Sequence, residues 1–139
     1  MTANLLDPAA VWAAFWAVAL EDAQHYENDN ACEEGREPEQ FDGEPAAEYC
    51  PKYRAAIDSI CAQAEPILSE LDLNRYPRGK GESSLSDIFG SDLYMTSHGH
   101  GVGFWDGDWG PAGDALDELA KQAPSGNLAH HKDGGLFFL

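Results

Sequence analysis

Apolar residues recur at helical intervals near the start of the chain: Val11, Trp12, Phe15, Trp16, Ala19 and Ala23 fall on one face. Asp7-Pro8 gives that helix a start, with a carboxylate at the N-cap and proline at the first helical position. Leu6 and Val11 stand at the spacing of a hydrophobic staple. A second stripe follows Cys50-Pro51 and runs through Tyr53, Ile57, Ile60, Cys61, Ala64, Leu68 and Leu71. Pro66 lies inside it and predicts a kink or restart near Glu65, because proline removes an amide donor. A third, shorter stripe carries Trp109, Ala112, Leu116 and Leu119, with Asp108 placed to cap it and Pro124 and Gly126 to end it.

Between the second and third stripes the pattern changes. Ser83–Phe89 predicts a short helical turn, and beyond it Leu93–Thr96 and Val102–Trp105 flank His98-Gly99-His100-Gly101. A turn at His98-Gly99 would pair Met95 with Val102 and Leu93 with Phe104, setting four apolar side chains on one face. Strands are therefore expected at about 92–97 and 102–106. A second pair is expected at about 127–131 and 135–139, around Lys132-Asp-Gly-Gly135. The predicted fold is α+β: two N-terminal helices, then a β-hairpin–helix–β-hairpin unit forming a four-stranded antiparallel sheet.

Residues 21–48 contain eleven Asp or Glu against one Arg, with two prolines, two glycines and few apolar anchors. They read as a long acidic connection, at about 27–49, within a single domain spanning 1–139. The whole chain carries 25 acidic and 8 basic residues, a net charge of −17. That excess argues against a basic groove for nucleic acid and against anionic membrane surfaces. It points instead to basic protein surfaces or cations as partners. Three cysteines without CxxC spacing read as free thiols in a reducing compartment. Met1–Asp7 lacks the basic start of a secretory signal, and the apolar run Pro8–Leu20 is too short to span a bilayer.

His100-Gly-Val-Gly-Phe-Trp-Asp106, preceded by Asp92-Leu-Tyr-Met-Thr96, resembles a motif of small hypothetical proteins of tailed bacteriophages. Gly113-Asp114-Ala115-Leu116 and Asp133-Gly134 match the later helix and turn of that pattern, so the likeness covers about Gly90 to Leu139. The acidic insertion at 27–48 and His98 depart from it. The resemblance carries no activity with it. What it implies is origin: a phage or prophage gene acting in a bacterial host cytoplasm, where small accessory proteins often inhibit a host enzyme or defence system.

Four histidines invite a metal reading. His98, His100, His130 and His131, with Asp106 and Asp108, would serve a small metal-dependent hydrolase if the two hairpins met. Against it stand the lack of an HExxH-type signature and the adjacency of His130 and His131, which point to opposite faces of a strand. No GxSxG is present, and Cys50 is the one thiol with basic sequence neighbours, Lys52 and Arg54. Arg75–Gly81 is basic and turn-rich but lacks Walker spacing. The reading is therefore of a binding protein with no catalytic residue, no metal and no cofactor.

The expected contact residues are Glu33, Glu34, Glu37, Glu39, Asp42 and Glu44. Their expected partner is a basic nucleic-acid-binding surface on a bacterial host protein, with no direct contact to nucleic acid or membrane. Carboxylates three or four apart on a helix lie about 6 Å apart. That spacing is similar to that of phosphates along one strand, so such a face could mimic nucleic acid in an anti-CRISPR or anti-restriction type of inhibitor.

Overall fold

The computed structural model describes residues 4–78 and 83–139. Met1–Ala3 of the leader reading and Gly79-Lys80-Gly81 of the basic link lie outside the described residues. In chain order the elements are α1 (Pro8–Glu34), α2 (Cys50–Ser69), α3 (Leu85–Ser97), 3-10 turns at Phe104–Asp106 and Gly110–Ala112, α4 (Gly113–Ala120), β1 (Leu128–His130) and β2 (Leu136–Phe138). Among the described residues no helix is long and apolar enough to cross a membrane.

The start of α1 follows its sequence. The Asp7 carboxylate accepts from the Ala9 amide at 3.1 Å, Pro8 opens the first turn, and Leu6 and Val11 are both buried. Just upstream, the Glu65 carboxylate accepts from the Leu5 and Leu6 amides, each at 2.9 Å, and ties the entry of α1 to α2. Val11, Trp12, Phe15, Trp16 and Ala19 are buried, as is the whole predicted stripe of α2 with Leu71. α2 continues past Pro66 to Ser69 rather than restarting there. Proline so close to a C-terminus deprives the helix of a single late amide.

α1 is longer than expected and takes in the first part of the supposed connection, ending at Glu34. Gly35 terminates it in the left-handed conformation (φ 67°), and the Arg36 amide reaches back to the Ala31 carbonyl at 2.9 Å.

The predicted four-stranded sheet is not present. The described residues contain four α-helices and one two-stranded antiparallel sheet, in which Leu128 faces Phe138, Ala129 faces Phe137 and His130 faces Leu136. The second hairpin therefore forms, but the first does not: Asp92–Thr96 belongs to α3, and Phe104–Asp106 is a 3-10 turn.

The physical reason lies just upstream of the apolar run. The Ser84 hydroxyl caps the Asp87 amide at 3.1 Å, which nucleates a helix whose buried positions Phe89 and Leu93 are one turn apart. Gly90 lets α3 lie directly on α1; a Cβ there would meet the Val11 carbonyl oxygen and, at 2.8 Å, Ala14 Cβ. The chain still doubles back after Gly99 (φ 70°). On its return, the Phe104 amide donates to Thr96 Oγ1 at 2.9 Å. The reversal expected of a hairpin thus joins a helix end to a 3-10 turn.

One core unites these pieces. Phe89, Phe104 and Trp109 meet edge-on or tilted between α3 and α4, while Phe138 of β2 reaches Phe15, Trp16 and Tyr53. The α4 stripe, Ala112, Leu116 and Leu119, is buried as its period predicts. The 3-10 turn Gly110–Ala112, rather than Asp108, leads directly into this helix.

Candidate functional site

The acidic segment has an ordered scaffold. The Gln24 side chain on α1 grips the passing backbone from both sides: its Oε1 accepts from the Phe41 amide at 2.7 Å and its Nε2 donates to the Glu39 carbonyl at 2.9 Å. One turn on, Glu27 Oε2 accepts from the Glu39 amide at 2.6 Å. Further along, Trp16 Nε1 donates to the Gly43 carbonyl at 2.7 Å. Pro45 then bridges in parallel to Leu136, with the Ala46 amide donating to the Leu136 carbonyl at 2.8 Å. Residues 37–46 are thereby laid against α1 and β2.

Arg36, the one Lys or Arg in residues 21–48, is engaged within the segment. Its guanidinium takes Glu27 in a two-pronged pair at 2.7 and 3.0 Å and Glu34 at 2.5 Å. Those bonds, with the Glu39 amide, hold the Glu27 carboxyl down at about 2. Of the six predicted contact residues, Glu34 is thus paired with Arg36, and Glu39 lies 3.5 Å from His130. Glu33, Glu37, Asp42 and Glu44 are exposed to solvent. Glu33 and Glu34 thus end α1, and Glu37, Glu39, Asp42 and Glu44 follow on the segment whose backbone runs back along it.

A second cluster, which periodicity did not reveal, sits where α1 passes the end of α3. Asp22 Oδ2 accepts from the Tyr94 hydroxyl at 2.7 Å and faces His100 Nε2 at 3.3 Å. Burial, reinforced by the Asp22 carboxylate, pushes the Tyr94 phenol well above its ordinary range, so Tyr94 stays a donor. His98 stacks on Tyr94 with ring centroids 3.9 Å apart and also borders Phe15 and Phe138.

The Gly126 amide donates to His98 Nε2 at 3.3 Å, so the ring proton belongs on Nδ1, which lies 3.1 Å from the Tyr94 carbonyl. That is neutral imidazole, and burial lowers the His98 pKa accordingly. Periodicity misses this pair because the sequence pattern puts Tyr94 on a strand and gives Asp22 only as one of many acidic residues.

The histidines do not come together. His98 and His100 lie beside α1, whereas His130 packs at a tilt against Phe41, and His131 lies 3.4 Å from Glu48. Asp106 instead serves its own loop, accepting from the Gly103 and Asp108 amides at 3.1 and 3.0 Å. Among the described residues, no three His, Cys, Asp or Glu side chains are grouped to hold a metal ion. Of the thiols, Cys61 is buried and pushed up to about 12, and Cys32 is exposed.

No protein-family model matches the chain, and neither a curated protein nor a solved structure is detectably similar to it.

Proposed function

We propose that this protein acts by binding, presenting the acidic edge of α1 and residues 35–44 to a cationic surface that ordinarily holds nucleic acid. The observation that carries this reading is the fixing of the acidic backbone by Gln24, Glu27 and Trp16, which holds in place the chain that bears the carboxylates. A charged array ordered beforehand loses less conformational freedom on association than a flexible tail does. On the exposed side of α1, Glu21, Asp29 and Glu33 follow at multiples of four residues, about 6 Å for each four-residue step. With Arg36 engaged internally, the edge keeps its negative character.

The phage resemblance of Gly90–Leu139 supplies the biological setting of the proposal: an accessory protein in a bacterial host, inhibiting a CRISPR effector, a restriction enzyme or a transcription component as a nucleic-acid mimic. Capture from host lysate followed by mass spectrometry tests it. The expected result is a nucleic-acid-binding protein that is released by added DNA or RNA and by salt. Retention of the partner's nucleic acid in the complex would refute mimicry. So would undiminished capture by a variant with Glu33, Glu34, Glu37 and Glu39 all changed to Gln.

A further inference from the structure

A cleft of about 320 Å³ opens beside the Asp22–Tyr94 pair, between α1, Phe41 and the approach to β1. Three rings, Tyr26, Phe41 and Tyr94, contribute to its walls, and Asn30 and Asn127 also line it. Tyr26 is 68% exposed, so its ring is open to solvent at the rim.

The charge inside is set by the bonds already made. Glu27 also lines the cleft, but its carboxylate is taken by Arg36 and the Glu39 amide. His98, at the back, is held neutral by the amide it accepts from. Asp22 remains as the anionic group. Both of its hydrogen bonds among the described residues fall on Oδ2, so Oδ1 is the oxygen left for a ligand.

A carboxylate among aromatic rings and amide acceptors selects by chemistry. An anion meets Asp22 and the field of a chain at −17. An apolar ligand would bury Asp22 without compensating it. A planar cation with several N–H donors and an apolar stem satisfies the carboxylate, the amides and the ring faces together, which a compact ammonium does less well. The volume is at the lower end of small-ligand pockets, enough for one such side chain.

We propose that this cleft receives a guanidinium group, namely an arginine side chain on the cationic surface that the acidic edge contacts. In the arginine-side-chain form the inference rests on the binding function proposed above. The same chemistry could also come from a free alkylguanidine, and the test separates these sources.

The full chain is titrated with N-acetyl-arginine-amide, N-acetyl-lysine-amide and a tetra-arginine peptide, monitored by amide NMR. The arginine amide is expected to give saturable shifts around Asp22, Tyr26 and Asn127, and to bind more tightly than the lysine amide. Asp22→Asn should weaken it about tenfold, the scale of a lost charge-assisted hydrogen bond. Tyr26→Ala, at an exposed position that does not threaten folding, should weaken it about two- to fivefold, as for an exposed cation–π contact.

Tighter binding of the peptide than of the single amide supports a protein-borne arginine, and equal binding supports a free alkylguanidine. Absence of saturable shifts, equal binding of lysine amide, or indifference to Tyr26→Ala overturns the proposal. The quadruple Glu→Gln variant should keep the saturable shifts at Asp22, Tyr26 and Asn127, with only the modest weakening that a smaller overall field brings. Its loss of lysate capture therefore bears on the acidic edge, and the amide titration bears on the cleft.

Discussion

Trp109 and Asp92 meet inside the core, where the indole Nε1 donates to Asp92 Oδ2 at 2.6 Å. Trp109 is fully buried and Asp92 is 5% exposed. Removing the acceptor leaves a buried N–H without this bond, a loss of about 1–3 kcal/mol. Asp92→Ala is therefore expected to lower the urea midpoint clearly. Asp92→Asn, which keeps an acceptor oxygen, should lower it less. Equal stability of the alanine variant and the wild type would show that the pair contributes nothing.

Gly90 gives a prediction of opposite sign to the usual rule. In an ordinary helix interior, Gly→Ala stabilises by roughly 0.5–1 kcal/mol. Here the added methyl meets the Val11 carbonyl oxygen and Ala14 Cβ at the α1–α3 crossing. Because backbone cannot step aside as a flexible side chain can, Gly90→Ala is expected to destabilise by about 1–3 kcal/mol. Thermal unfolding followed by circular dichroism would decide, and a raised midpoint would mean the two helices can part without loss.

His98 makes stability depend on pH in a defined direction. Its folded-state pKa lies below the ordinary 6.5, chiefly through burial. The unfolded chain therefore binds the proton first as pH falls. The contribution of His98 is fully present above 6.5 and is lost as pH falls through the lower folded value. In denaturation at a series of pH values, wild type should lose stability below 6.5 relative to His98→Gln. A constant difference between the two would contradict this assignment of the neutral ring.

Where apolar residues do the packing, the sequence was legible. Trp12, Phe15 and Trp16 on α1, and Ile57, Ile60 and Leu68 on α2, point inward as their spacing implies, and Asp133-Gly134 sits in the second hairpin as expected. The second half of α1 was hidden because its inward side is polar: Gln24 and Glu27 face a stretch of backbone and bond to it.

Leu93–Thr96 misled for another reason. A short apolar run fits a strand or a buried helix, and the Ser84 cap that decides between them lies upstream of the run itself. The carboxylates of the acidic edge were visible as charge. The cleft was not, since Asp22, Tyr94 and Asn127 are brought together by the fold and share no motif.

β2 is paired on both sides, to β1 along one edge and to Pro45 on the other. With Gly35 fixing the turn at one end and this bridge the other, residues 35–45 are anchored at both ends and clasped by α1 between them. Such a segment cannot slide its charges to suit whatever approaches. A flexible acidic tail accommodates many basic surfaces by adjusting itself; a clasped one leaves the adjustment to the other molecule. In the binding function proposed above, selectivity would then come from mismatch, because a cation displaced from its place meets a neighbouring carboxylate at the wrong distance or finds none.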